Sequence, residues 1–326
     1  MPPERQFTDA DQLLASGGID AAAILSSGSH GALAAAAAQA GIAMFAEKPL
    51  AYTLAELDEL AAADPTLLLG YMKLYDPAVE RAARILEERT EPRSIEVTVL
   101  HPPAGPQLAH AGLLAPPTDV APDALEQLAA DEAALLENAL GSVPKWLQRL
   151  YADVLLGSIV HELAVIRALA GGPLELEDVD IWPVEGTGSI ALTGRLARGA
   201  RVSIRWHYLD RYPAYREEVR VHDEHGSVEL VFASPYLLNA PTVLTVSEPD
   251  DEAERVIATR STEEAFERQW LAFEELVREG APPRAAIEEA REDAVVCQAS
   301  ARIVAARHDI EIGGEAASSK RPQPVA

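Results

Sequence analysis

Residues 19–49 read IDAAAILSSGSHGALAAAAAQAGIAMFAEKP, and two apolar runs inside this stretch decide the fold. Ile19 to Leu25 is a short run that stops at the turn Ser26-Ser27-Gly28-Ser29, the pattern of a buried strand. An alanine-rich helix follows from about His30 to Ala40, and Gly41 closes it as a C-terminal cap. Ile42 to Ala46 is the second buried strand, ending at Glu47-Lys48-Pro49.

Outward from this stretch the same unit repeats. Thr53 and Glu56 form a capping-box signature for a helix that ends near Ala63. Thr66 to Leu69 supplies a third strand before Gly70. Strands separated by ten-residue helices, with no hairpin turn, imply parallel βαβ units with right-handed crossovers. The rest of the chain differs. Pro77–Glu88 is expected as a helix, Ser94–Leu100 as a strand and His101–Pro122 as an irregular loop. Helices are expected over Asp123–Leu140 and Pro144–Ala170, the second stopped by Gly171-Gly172-Pro173. From Leu176 to Val246 the period becomes two, as in Arg201–Tyr208 and in Val228, Leu230 and Phe232. That pattern reads as an antiparallel sheet with one dry face. Helices over Thr262–Glu279 and Arg284–Ala306 finish the fold. The fold class is therefore α/β followed by α+β: residues 1–75 a parallel layer, residues 76–313 a large antiparallel sheet with flanking helices, and residues 314–326 a flexible tail.

The chain has 326 residues, with 27 Lys+Arg against 52 Asp+Glu and a net charge of −25. Such a surface repels phosphates, so neither nucleic acid nor an anionic membrane is an expected partner. Cys297 is the single cysteine, which excludes an intrachain disulfide or a cysteine-built zinc site. Met1-Pro2-Pro3-Glu4-Arg5 lacks the apolar core of a secretory signal, and the alanine-rich stretch Ala21–Ala46 carries too many strand and turn signals for a membrane span. The expected location is the cytoplasm.

Four groups of residues invite a chemical reading. Lys48 stands at the C-terminal end of a parallel strand, where open α/β sheets bind ligands; the ordinary alternative is a solvated loop lysine. His161 shares a helical stripe with Asp153, Gly157 and Ala164, and its small neighbours leave room above the ring; a core histidine at a helix contact is the alternative. The turn Ser26–His30 offers backbone N–H groups and hydroxyls at a helix N-terminus. His222 and His225 sit at a hairpin tip and read as a solvated turn, so no metal is expected. Gly28-Ser29-His30-Gly31 has the wrong spacing for a nucleophile elbow, which argues against a serine hydrolase.

The order of these features resembles the Gfo/Idh/MocA family of NAD(P)-dependent oxidoreductases, the glucose–fructose oxidoreductase and inositol dehydrogenase group. The resemblance runs through FTDADQLLASGGIDAAAILSSGSH from Phe7, AGIAMFAEKPLA with its Glu47-Lys48-Pro49, GYMKLYDPAVERAARIL from Gly70, and GSIVHELAVIRALAGGP from Gly157. It implies a partial Rossmann-like domain followed by an α+β substrate and oligomerisation domain. It implies Lys48 and His161 as catalytic residues, and Ser26, Ser27, Gly28, His30, Glu47 and Lys48 as cofactor-binding. Tyr71, Lys73 and Ser158 would bind a carbohydrate-like substrate, and the chain would form a homo-oligomer. Two departures stand out. No G-x-G-x-x-G lies near the N-terminus, so the chain is expected to begin after the family's opening unit and to hold NAD or NADP weakly or not at all. The family's aspartate four residues before the histidine is Gly157 here, with Asp153 as the nearest substitute. The resemblance thus leaves two other readings open: a non-catalytic binding or assembly relative, and a lyase or hydrolase using the same pocket.

Overall fold

The computed structural model describes residues 6–112, 120–183 and 188–318. A short helix, α1 (Ala10–Ala15), leads into β1 (Ala21–Ile24), and β2 (Ala43–Ala46) and β3 (Leu67–Leu69) complete a parallel sheet in the order β1-β2-β3. The three strands fall where the apolar runs place them. Helix α2 (Gly31–Gln39) connects the first two strands, and its buried Ala34 and Ala37 let it lie close to its neighbours. Gly31 is required there, because a Cβ would come within 2.7 Å of Glu56 Oε1. Helix α3 (Leu54–Ala62) carries the expected capping box: Thr53 Oγ1 accepts from the Glu56 amide, and the Glu56 carboxylate accepts from the Thr53 amide. A cap of this kind contributes about 1 kcal/mol.

After α4 (Pro77–Glu87) the chain builds an eight-stranded sheet. Its strands are β4 (Ser94–His101), β5 (Leu174–Trp182), β6 (Ser189–Leu196), β7 (Arg201–Tyr208), β8 (Arg216–Asp223), β9 (Gly226–Phe232), β10 (Val243–Asp250) and β11 (Ala253–Arg260). The spatial order is β11-β10-β9-β8-β4-β7-β6-β5. This sheet is mixed rather than purely antiparallel, because β4 runs parallel to β7 on one side and antiparallel to β8 on the other. Side-chain alternation reports which face is dry but not which way a neighbour runs, and β4 is joined to β7 by no hairpin. Val202, Ile204 and Trp206 face inward as the alternation requires. On the outer face Arg201 pairs with Glu177 at 2.6 Å and Arg220 with Glu229 at 3.0 Å. The His222–Gly226 hairpin forms as expected. Gly226, at φ 132°, cannot be replaced without strain, since a Cβ there would lie 2.1 Å from Ser247 O.

Between β4 and β5 lie α5 (Ala104–Leu108), α6 (Pro122–Leu140) and one long helix. The segment from 101 to 122 is thus partly helical rather than all loop, while its residues 113–119 fall outside the described part. The long helix begins as α7 (Lys145–Arg149), widens into π-helical turns over Leu150–Ile159 and returns to α8 (Val160–Ala170). A regular α-helix was the expectation. At Gly157 a Cβ would approach Ala152 O to 3.1 Å, so the glycine relieves crowding in the widened segment. Asp153, Gly157 and His161 nonetheless border one cavity.

Two helices close the molecule, α9 (Ala265–Glu279) and α10 (Ile287–Arg307), within a few residues of their expected bounds. Helix α10 packs against β5 of the large sheet and against α3 and β3 of the small one. Residues 314–318, expected in a flexible tail, instead form α11 (Gly314–Ser318). Ala316 is fully buried, and Glu315 accepts from the free amides of Leu54 and Ala55 at 2.7 and 2.9 Å. That carboxylate satisfies donors that the start of α3 leaves unpaired. Residues 319–326 lie outside the described part. No helix of the described residues is long and apolar enough to cross a membrane.

Candidate active site

A cavity of about 570 Å³ lies where the C-terminal ends of β1 and β2 meet the long helix and the inner face of the large sheet. Ser26, Ser27 and Gly28 enter it from the turn after β1, Glu47 and Lys48 from the end of β2, Lys73 from the turn after β3, and Ser158 and His161 from the long helix. Eight of the candidate residues therefore line one space, although sequence separates the first from the last by more than a hundred positions. This is the location at which parallel strands present ligands.

Two candidates stand elsewhere. His30 is buried beneath the turn, and its Nδ1 and Nε2 face the carbonyl oxygens of Pro49 and Ser26 at 2.6 and 2.8 Å. It ties the two strand-end loops together rather than facing the cavity. Tyr71 is buried behind the wall: its hydroxyl donates to Asp293 at 2.7 Å, and its ring meets the edge of His161 at 5.9 Å. Burial and Asp293 push the Tyr71 hydroxyl well above its ordinary pKa.

Lys48 donates through Nζ to the carbonyl oxygen of Gly157, the residue where the resemblance leads one to expect an aspartate. A main-chain acceptor thus stands where that side chain would be. Burial pulls the Lys48 pKa below the usual lysine value, against the opposing pull of Glu47 and Glu162. Burial, then the charges of Lys48 and Lys73, hold the His161 imidazole well below its ordinary pKa, so it is neutral at pH 7. Its Nδ1 is buried without a hydrogen-bond partner among the described residues. An orphaned buried acceptor or donor of this kind costs about 1–3 kcal/mol.

The far wall was not singled out from the sequence. His101 contacts the rings of Trp206, Tyr208 and Tyr215 at 5.4, 6.2 and 5.6 Å, and all four side chains border the cavity. Behind Tyr215 lies a buried ionic cluster. Lys73 Nζ is 3.0 Å from Glu162 Oε1 and also donates to Glu217 Oε2, which accepts from the Tyr215 hydroxyl at 2.6 Å. Both carboxylates are fully buried, and each keeps one oxygen without a partner among the described residues. Glu217 and Glu162 outweigh burial and hold Lys73 above the ordinary lysine pKa. Burial pushes Glu162 up to about 7, with Lys73 opposing and Glu217 reinforcing.

That shift has a measurable sign. The folded state keeps a proton on Glu162 above pH 4.5, where the unfolded state has released it, and gives it up near 7. Stability from this group is therefore lost as pH rises through that window, by at most about 1.4 kcal/mol per pH unit. Glu162→Gln mimics the protonated form. Its unfolding midpoint is expected near the wild type at pH 5 and above it, relative to that reference, at pH 8.5. Parallel curves for the two proteins across that range would contradict the assignment.

Comparison with known proteins bears on this geometry. Residues 3–66 match the model of the GFO_IDH_MocA oxidoreductase family, described as having an NAD-binding Rossmann fold. None of the curated proteins searched matches the chain. Among solved structures, myo-inositol 2-dehydrogenase from Lactobacillus plantarum is similar with a TM-score of 0.64 at 16% identity, over 94% of this chain and 84% of that one. UDP-N-acetylglucosamine 3-dehydrogenase from Acidithiobacillus ferrooxidans is similar at 0.62 and 19% identity, over 93% and 83%. A 3-ketoreductase from Actinomadura kijaniata, solved with NADP, is similar at 0.62 and 17%, over 88% and 78%. The small parallel sheet followed by a large mixed sheet with flanking helices is the fold these structures share with the chain.

Proposed function

We propose that this chain, which carries the Gfo/Idh/MocA fold and matches the family model over residues 3–66, is an NAD(P)-dependent oxidoreductase acting on a CH–OH group of a sugar- or polyol-like substrate. The observation that carries this reading is the meeting of Lys48 and His161 on one cavity that the Ser26–Gly28 turn and Glu47 also border. The residues present fit the nicotinamide-ribose end of such a cofactor. Gly28, at φ 84°, keeps the strand-end backbone open, with nothing nearer to a Cβ there than Tyr52 Oη at 3.9 Å. Ser26, Ser27 and Glu47 add hydroxyl and carboxylate groups suited to a ribose, and the cavity has room beyond them.

When bound, the nicotinamide supplies the hydride acceptor of the reaction. The chain's own residues manage the other half of the transfer. Lys48, with its pKa lowered by burial, takes the hydroxyl proton as the carbonyl forms, and Gly157 O holds its ammonium in place afterwards. Neutral His161, on the same cavity, gives that hydroxyl a second and uncharged hydrogen-bonding partner. The His101–Trp206–Tyr208–Tyr215 wall presents flat faces of the kind that pack on the C–H side of a sugar ring.

Dinucleotide and substrate are tested together. NADH and NADPH are titrated by their fluorescence, and myo-inositol, scyllo-inositol, glucose and UDP-N-acetylglucosamine are then offered with the oxidised form that binds. One dinucleotide is expected to bind, weakly, and at least one alcohol to reduce it. Failure of both dinucleotides to bind at millimolar concentration would overturn the reading.

A further inference from the structure

A second chamber of about 290 Å³ opens beside the first and shares Asp153, Val154 and Trp206 with it. Its walls are unlike those of the main cavity. Trp146, Leu150 and Val154 come from the long helix, and Ile181, Ile190 and Trp206 from β5, β6 and β7. Two of the polar side chains near it are engaged. Trp206 Nε1 donates to Ser158 at 3.0 Å, and Ser189 Oγ is 2.9 Å from His207 Nδ1. Asp153 and Arg149 remain at the border, and both are charged groups reached by water.

We propose that this chamber binds a planar, apolar ring carried by the substrate, so that the physiological ligand is an aryl-substituted sugar or polyol rather than a free one. The inference deepens the oxidoreductase reading and rests on it for the position of the reacting carbon. Protein interiors are packed to crystal density, so a space of this size between apolar side chains is not a packing tolerance. A cavity of about 150 Å³ lined by aliphatic and aromatic groups takes up benzene. This chamber is roughly twice that size, enough for one substituted ring or two fused ones. A second sugar fits less well, because the charged partners open to its hydroxyls, Asp153 and Arg149, stand at the border, and most of the remaining lining is apolar. Two indoles, one from the helix and one from the sheet, supply the flat polarizable surfaces that a ring prefers. Since Trp206 borders both spaces, a ring in the chamber is continuous with a polyol at Lys48 and His161.

The test uses the whole chain labelled with 5-fluorotryptophan, whose four fluorine signals are assigned by single Trp→Phe substitutions. Phenol, phenyl β-D-glucopyranoside and methyl β-D-glucopyranoside are titrated in turn. Phenol and the phenyl glucoside are expected to shift Trp146 and Trp206 with saturation and to leave Trp270 unmoved. The methyl glucoside is expected to leave Trp146 unmoved. Leu150→Trp, a filling change at a half-buried position, is expected to weaken phenol binding at least tenfold. Phenol that shifts no signal, shifts all four, or shifts Trp206 without Trp146 would overturn the proposal. NAD(P) titration separates the two failures: absent dinucleotide binding with a normal phenol response removes the oxidoreductase reading alone, and intact dinucleotide binding with no phenol response removes the chamber alone.

Discussion

Lys73→Met is expected to destabilise the fold by about 3–5 kcal/mol at pH 8, read as a lower urea midpoint with an unchanged slope. Lys73 touches both Glu162 and Glu217, and both carboxylates are fully buried. Methionine fills most of the same volume, though it gives up the ammonium's place 5.4 Å from the Phe232 ring centroid. What it removes is the counter-charge. The two carboxyl groups must then either ionise together without it or hold protons that the unfolded chain has already released. The second route becomes cheaper as pH falls, so the deficit is expected to shrink towards pH 5. Adding Glu162→Gln and Glu217→Gln to Lys73→Met is expected to restore much of the loss, since an uncharged cluster needs no counter-ion. A full deficit that persists in the triple variant would mean that packing of the lysine stem, not its charge, holds the wall.

The signal for this cluster was present in the chain. Glu217 is in phase with Val219 and Val221 on the buried face of β8, so its period-two position already places a carboxylate indoors. Glu162 stands among the buried Val160, Leu163, Ala164 and Val165 on its helix. Buried charges of that kind are found paired. Sequence could not say which cation meets them, because Lys73 lies 89 residues before one and 144 before the other. The small sheet was more legible. Its strands are short apolar runs punctuated by Gly41, Gly70 and the serine turn, and Thr53 with Glu56 marks the next helix by local hydrogen bonding alone. Long-range placement was not legible. The insertion of β4 beside β7 reverses a pairing direction without changing any residue's alternation, and the π-helical turns over Leu150–Ile159 leave no mark that spacing rules see. His30 illustrates the same limit within the site, since its position in the turn suggested a ligand contact and its partners are two main-chain carbonyls.

With the substrate in hand, Lys48→Met is expected to lower kcat for alcohol oxidation by about 10²–10⁴-fold, the usual share of a positioned proton carrier. The lysine does two things that methionine cannot: it accepts the hydroxyl proton and, once charged, donates to Gly157 O. Because burial lowers its pKa, the wild-type rate is expected to rise with pH and level off below the ordinary lysine value near 10.5. That ascending limb belongs to loss of a proton from Lys48, so it is expected to vanish in Lys48→Met. Lys73 does not replace it, since Glu162 and Glu217 hold that lysine protonated across the same range. Lys48→Arg separates charge from proton transfer: guanidinium keeps the positive field beside Glu47 but does not release a proton in the working range, so it is expected to bind the dinucleotide and still turn over slowly. A Lys48→Met enzyme within a few-fold of wild type, with the same ascending limb, would move the proton to another group. Asp153 would then be the next residue to replace, because it borders the same cavity and burial, then Glu132, raises its pKa above the usual aspartate value.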